Sequence, residues 1–367
     1  MFLNWKLIAP TLRILTEKHN SATLSSFFEA HFKDTSGLLR IVSALFCLLF
    51  FTFYIAANFV ALGHLFEAIF GIGYTTGILI GSLVIFYILL GGYLSIAWVD
   101  FFQGSFLLFM IILVPLIGFL HIGGSQSIVS AAQTSNISLD FIPHSMSHLF
   151  NIVLLAFGWG LGYFGQPHIL TKFMVIQEVD DMAKAQRGGL VWQTITLSAA
   201  ICVGLVGIAF FAKGGLANNE LIFIIMTKTL FAPFWAGIIL CAVLASAINV
   251  IGAQVLVSAS ILAEDFYKRF IKEKNSAIRR YRVQWASHVS VLAICLFALV
   301  FAYYQRTESI YQLVFYAWAG LGCSFGPLII LALHTKLKSR AAALAGIIAG
   351  GATAGLWPYF NASIPSM

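Results

Sequence analysis

Residues 41–66 read IVSALFCLLFFTFYIAANFVALGHLF, with no Asp, Glu, Lys or Arg anywhere in the run. A helix rises about 1.5 Å per residue, so about 20 apolar residues cross the roughly 30 Å hydrocarbon core of a bilayer. The pattern recurs in the charge-free runs Ala68–Val99, Phe101–Ile122, His148–Thr171, Gly188–Ala212, Phe234–Ala263, Val283–Gln305, Ser309–His334 and Ala341–Phe360. Nine spans are predicted. Apolar residues make up 60% of the chain and charged ones 10%, where a soluble domain carries about 25% charged residues to cover its surface. The mean hydropathy is +0.92. Helices are expected because backbone amides find no water inside lipid, and only closed barrels offer an alternative. A barrel would show short segments alternating with period two, and these runs are apolar all round. The expected class is an all-α polytopic membrane protein.

Basic residues set the topology. With residues 1–40 placed in the cytoplasm, alternate loops put 18 Lys and Arg inside and three (Lys213, Lys228, Arg306) outside, the positive-inside pattern. The basic stretch Lys268–Arg282 then reads as a cytoplasmic retention loop in preference to a nucleic-acid or lipid-binding patch. A multi-pass protein of the inner, cytoplasmic membrane with no nucleic-acid partner is expected. The five cysteines all lie in apolar runs without metal-ligand spacing, and they imply neither a disulfide framework nor a metal site. Lys6 and Pro10 interrupt any signal-peptide core.

Three regions are expected: 1–40 as the inner end of a helix with a polar cytoplasmic segment, 41–360 as the helical core, and 361–367 as a short outer tail. Ser26-Phe27-Phe28-Glu29 has the form of a capping box. Gly123–Ser147 is the longest predicted outer loop. Its Asn136-Ile137-Ser138 fits a glycosylation sequon, a pattern too common to carry weight.

One span is chemically unusual. Phe157-Gly158-Trp159-Gly160-Leu161-Gly162-Tyr163-Phe164-Gly165-Gln166-Pro167-His168 puts four glycines and a proline into a membrane run. An interior glycine weakens a helix by about 1 kcal/mol relative to alanine, and a proline by about 3 kcal/mol. Two readings compete. Small residues such as Gly158 and Gly162 allow close helix packing around a tolerated kink. Alternatively the helix is interrupted, and its freed carbonyls and amides face a substrate cavity with Trp159 and Tyr163 as an aromatic wall. Phe315–Pro327, with Gly320, Gly322, Gly326 and Trp318, reads more readily as packing. His168 reads as a hydrogen-bonded structural histidine.

No catalytic constellation is present. The charge-free runs hold no Asp or Glu, and Glu67 and Asp100 fall at predicted span ends where a carboxylate reaches water. An intramembrane enzyme needs acid, base or metal ligands. Their absence points to moving a solute and away from cleaving one.

At these motifs the chain resembles the sodium:solute symporter family, and specifically its proline-transporting branch. The resemblance is carried by Leu3-Asn4-Trp5-Lys6, Leu49-Phe50-Phe51-Thr52-Phe53-Tyr54, Gly91-Gly92-Tyr93-Leu94, the whole of Gly158–Leu170, Ala263-Glu264-Asp265-Phe266-Tyr267-Lys268 and Tyr316-Ala317-Trp318-Ala319-Gly320. It implies a leucine-transporter-type bundle of inverted repeats, with the site at mid-membrane. It also implies that this chain lacks the first core helices and is transport-dead by itself. The implied substrate residues are Tyr54, Trp159, Tyr163 and Pro167, and the implied function is sodium-coupled uptake of L-proline, with Na+ as coupling ion and no cofactor. At the sodium site the family places adjacent hydroxyls where this chain has Asn249-Val250, and a backbone carbonyl where it has Ser246. Two alternatives stand beside this reading: a symporter for another small amino or organic acid, and a non-transporting sensory membrane domain.

Overall fold

A computed structural model describes residues 1–140, 145–212, 215–216, 218–268, 276–336 and 339–360. The predicted tail at 361–367 lies outside them. Among the described residues the helices are α1 (Ala9–Lys18), α2 (Leu24–His31), α3 (Leu38–Phe70), α4 (Tyr74–Gly81), α5 (Val84–His121), α6 (Ser125–Thr134), α7 (Met146–Gly162), α8 (Pro167–Met174), α9 (Met182–Phe210), α10 (Ile222–Leu230), α11 (Pro233–Ser260), α12 (Ser276–Tyr304), α13 (Ile310–His334) and α14 (Arg340–Phe360). Eight helices among the described residues are long and apolar enough to cross a membrane. The predicted run Ala68–Val99 is not one span: it divides among the last turn of α3, the short α4 and the start of α5. The boundary expected at Asp100 is absent, because α5 passes through that residue as one helix. The predicted outer loop holds α6, which is too short to span.

The central element is α3. It packs against α4, α11, α12, α13 and α14. Its aromatic and aliphatic side chains Phe50, Phe51, Ile55, Phe59 and Leu62 are almost wholly buried. Both its ends are fixed by glycines in the left-handed region, Gly37 (φ 70°) and Gly71 (φ 68°), where an L side chain is strained. Four N–H groups at a helix start have no partner within the helix. Asp34 supplies one from outside: its Oδ2 accepts from the Leu39 N–H at 2.8 Å, while Oδ1 accepts from the Ser36 N–H and hydroxyl. Arg340, at the start of α14, lies 3.4 Å from the same carboxylate.

The first forty residues fold onto this core. Ile8, Leu12, Phe27 and Phe28 have no exposed surface. A capping box is present, but it starts α2 three residues before the predicted one. Thr23 is the N-cap, its side chain accepts from the Ser26 N–H, and Ser26 Oγ accepts from the Thr23 N–H. The reason is a competing partner: Glu29, the predicted N3 acid, instead accepts from Arg40 at 2.9 Å. Arg40 also donates to the buried Asp265 at 2.7 Å, and Asp265 accepts from the Thr23 hydroxyl at 2.8 Å. A charge taken out of water is costly unless it is paired, and Arg40 joins two carboxylates from different elements.

Polar pairs sort the two ends of the bundle as the charge pattern predicts. Residues assigned inside meet each other: Arg40 with Asp265, Lys172 with Asp100, Arg340 with Asp34, and Arg13 with the carbonyls of Ile176 and Gln177. Residues assigned outside do likewise: Arg306 with Glu67, Lys228 with the Ala68 carbonyl, and Ser309 with Glu220.

Asp34 yields a prediction. Burial raises its pKa, but the bonds from Ser36 and Leu39 and the charge of Arg340 overcome that and bring it down to about 2. A carboxylate depressed below its ordinary value of about 4 stabilises the fold above that pH, and the contribution fades as pH falls toward about 2. Asp34→Ala should cost about 1 kcal/mol at neutral pH. Thermal melts of the detergent-solubilised protein should show the two forms converging in acid.

Candidate substrate and ion site

The interruption expected within Phe157–His168 is present. The helix α7 ends at Gly162, tightens to a 3-10 turn over Tyr163–Gly165, and opens to extended backbone at Gln166 (φ −86°, ψ 105°). It restarts as α8 with Pro167 in the first turn, where the missing N–H costs nothing. A broken helix frees main-chain groups that lipid cannot satisfy. Here side chains do so: Gln166 Nε2 donates to the carbonyls of Gly162 (3.2 Å) and Trp318 (3.0 Å), and Asn4 Nδ2 donates to that of Tyr163 (3.0 Å). Gln166 and Asn4 are fully buried, and the amide oxygen of each has no partner. The carbonyls at Gly162 and Tyr163 are therefore held by protein, where an opening onto a cavity was expected. Neither amide was picked out as functional in the sequence, although both stand in quoted motifs.

The two glycine-rich stretches pack on each other. A Cβ on Gly165 would stand 2.6 Å from the Gly326 nitrogen and 2.7 Å from the Leu321 carbonyl oxygen, and one on Gly322 would stand 2.8 Å from the Gly162 Cα. Close packing and interruption, opposed as readings of the sequence, are both true. The bend can only sit this close to α13 because neither backbone carries a side chain at the contact.

This contact positions the aromatic residues. Trp159 and Tyr163, four apart as expected for one face, both pack on Trp318 of α13, with ring centroids 5.2 and 4.8 Å away. Trp318 Nε1 donates to the Trp159 carbonyl at 3.2 Å. Beyond it the Trp159 ring meets Phe315 (5.3 Å) and Tyr311 (6.0 Å). The Tyr163 hydroxyl accepts from Gln193 Nε2 at 2.9 Å, tying the bend to α9. Tyr54, on α3, belongs to the same apolar cluster that Trp159, Tyr163 and Val250 pack against. Its ring stands edge-on to His168 at 5.8 Å, and Phe51 meets His168 at 5.7 Å. Pro167 is buried.

Ser246, Asn249 and Val250 lie within two turns of α11, all half-buried. The Asn249 amide nitrogen donates to the main-chain carbonyl of Asp100 at 3.4 Å, which leaves its Oδ1 as the side-chain oxygen able to meet a hard cation. Just inward, α5, α8 and α11 enclose a cavity of about 250 Å³ lined by Asp100, His168, Thr171, Lys172, Ala253 and Val257 among others. Asp100 was expected at a span end in water. It stands near the start of the apolar stretch Ile96–His121 of α5, but its side chain is only 14% exposed and lies 3.3 Å from Lys172. His168 was expected to be hydrogen-bonded, yet its Nδ1 is buried without a partner. The sequence reading missed this cavity because its lining residues come from three helices distant in the chain.

The glycine contact can be tested. Gly165→Ala should cost about 1–3 kcal/mol through overpacking against α13. Gly160→Ala meets nothing within 4 Å and should stabilise α7 by up to about 1 kcal/mol. Melting both variants in detergent should move the transition in opposite directions.

Comparison with known proteins agrees with this architecture. The model of the sodium:solute symporter family matches residues 1–350. The high-affinity proline transporter PutP of Bacillus subtilis is 40% identical over 358 residues, covering 96% of this chain and 74% of that protein. The sodium/proline symporter of Escherichia coli is 38% identical over 369 residues, covering 98% of this chain and 72% of its own length. Among solved structures, the substrate-bound outward-open state of a Na+-coupled sialic acid symporter superposes with a TM-score of 0.68 at 18% identity, over 96% of this chain and 80% of that one. At that identity the likeness is one of fold, and it supports the all-helical transporter bundle. A family model running along nearly the whole length, with relatives this similar over most of theirs, shows that the chain belongs to the sodium:solute symporter family, a family of transporters and not of enzymes.

Proposed function

We propose that the chain serves sodium-coupled uptake of L-proline across the bacterial cytoplasmic membrane. The observation that carries this reading is the aromatic group at the helix interruption, where Trp159 and Tyr163 pack around Trp318. Proline is a small zwitterion with an apolar ring. A flat aromatic wall suits the ring, and an indole N–H or phenol O–H can meet the carboxylate. In this reading Trp159 and Tyr163 form the wall, Tyr54 approaches from α3, and Pro167 sets the direction in which the chain leaves the bend. Na+ is held at α11 by the Asn249 Oδ1 and a main-chain carbonyl at Ser246, while Val250 contributes only packing. The relatives named as proline transporters support the choice of substrate.

A chimaera tests the reading without depending on where this chain begins or ends. Residues 1–367 would replace the matching stretch of the B. subtilis transporter, and radiolabelled proline uptake would be measured in a host lacking its own. Uptake should depend on Na+ and be competed by excess unlabelled proline more strongly than by other amino acids. Preferential competition by another small acid would overturn the substrate assignment. Within the chimaera, Trp159→Ala or Tyr163→Ala should raise the KM for proline about tenfold, corresponding to about 1.4 kcal/mol of lost aromatic contact. Leu155→Ala, on an exposed face of α7, should change it little. Asn249→Ser combined with Val250→Thr should lower the Na+ concentration needed for half-maximal uptake, since a second side-chain oxygen becomes available. The same assay on the chain by itself decides whether the isolated polypeptide moves proline.

A further inference from the structure

The stretch Lys268–Arg282, which runs into the first turns of α12, is the most basic in the chain, with seven Lys or Arg against the single acid Glu273. Its role in setting topology accounts for the charge but not for the shape beside it. Where the π-helical continuation of α11 (Ile261–Tyr267) meets the start of α12, the structure holds a groove of about 610 Å³. Its walls are apolar: Leu262, Phe266, Ala286 and Val289. Its remaining lining comes from Tyr267, Tyr281, Trp285, Arg282 and Ser290, which add three amphipathic rings, a guanidinium and a hydroxyl. Tyr281 stands edge-on to Trp285 at 6.3 Å, and Trp285 edge-on to His288 at 6.4 Å, so the rings support one another along one side. Tyr281 is 61% exposed, Trp285 55% and Val289 58%, and no segment of the described chain covers them.

Position and charge together select the occupant. Tyr and Trp concentrate where hydrocarbon gives way to headgroups. This belt falls at the end of the bundle that the basic residues place in the cytoplasm. The inner-leaflet surface is negative and attracts basic segments. An apolar groove with a cation in its lining matches a phospholipid: acyl chain along the walls, phosphate at the Arg.

We propose that this groove binds one anionic phospholipid of the inner leaflet. The headgroup phosphate sits at Arg282 with the hydroxyls of Tyr267 and Tyr281, and an acyl chain lies against Leu262, Phe266, Ala286 and Val289. The proposal does not depend on which solute the protein carries. A single Lys or Arg near an anionic headgroup contributes about 1 kcal/mol, or about fivefold in affinity.

The test uses the complete chain reconstituted in phosphatidylcholine vesicles that contain small fractions of acyl-brominated phosphatidylglycerol or acyl-brominated phosphatidylcholine. Bromine quenches nearby tryptophan, and subtracting the signal of Trp285→Phe isolates this indole from the other seven of the eight tryptophans. Quenching of Trp285 should reach half its maximum at about a fivefold lower mole fraction of the anionic lipid than of the zwitterionic one. Arg282→Gln should bring the two curves together. Ala286→Phe, which fills the groove, should reduce quenching by both lipids to the level of random mixing. Coincident curves for the unaltered protein would overturn the proposal. So would a preference that survives Arg282→Gln but disappears in Lys272→Gln, Lys274→Gln, which would assign it to diffuse surface charge.

Discussion

A helix broken inside a membrane leaves main-chain donors and acceptors with no water to turn to, and the protein has to supply their partners itself. That constraint governs the bend between α7 and α8. Gln166 spans back to the Gly162 carbonyl and across to that of Trp318, and Asn4 reaches in from the start of the chain to that of Tyr163. The bend is thereby tied at once to its own helix, to α13 and to the amino-terminal segment. Gly162 and Gly165 against Gly322 and Gly326 bring the two backbones close enough for these bonds to form. The aromatic cluster is a consequence of the same approach. Trp318 can lie between Trp159 and Tyr163 only because α13 sits directly on the interruption.

The two ends of the bundle are held differently from its middle. Inside the membrane region packing is almost wholly apolar, with Phe50, Phe51 and Phe59 buried along α3. At the inner end, long-range ion pairs take over. Arg40 on α3 joins Glu29 of α2 and Asp265 just beyond α11, and Arg340 of α14 joins Asp34 in the turn before α3. The Asp100–Lys172 pair sits between these regimes. Both residues line the cavity among α5, α8 and α11, and Asn249 bonds to the backbone of that same Asp100.

Much of this was legible from residue types alone, because a bilayer tolerates few solutions. Charge-free runs of the length of residues 41–66 favour a spanning helix, and the glycines and proline at 157–168 weaken any helix formed there. Basic residues then orient the whole, and the ion pairs at each end agree with that orientation. The aromatic positions Trp159 and Tyr163 could be placed on one face from their spacing.

What the linear order could not supply was contact between distant segments. Asn4 and Gln166 are unremarkable amides until the fold sets them against freed carbonyls. Asp100 looked like a water-exposed boundary between two spans because its flanks are apolar on both sides; the tertiary structure runs one helix through it and pairs it with Lys172. Glu29 looked like a capping acid until Arg40 claimed it and left the cap to Thr23 and Ser26. The chain by itself thus marked most of the segments long and apolar enough to cross a membrane and the one glycine- and proline-rich stretch where a helix is weakest, since those follow from transfer free energies and local backbone chemistry. Only the folded molecule decided which polar groups find one another, because in low dielectric each must pair with whatever the packing of helices brings within reach.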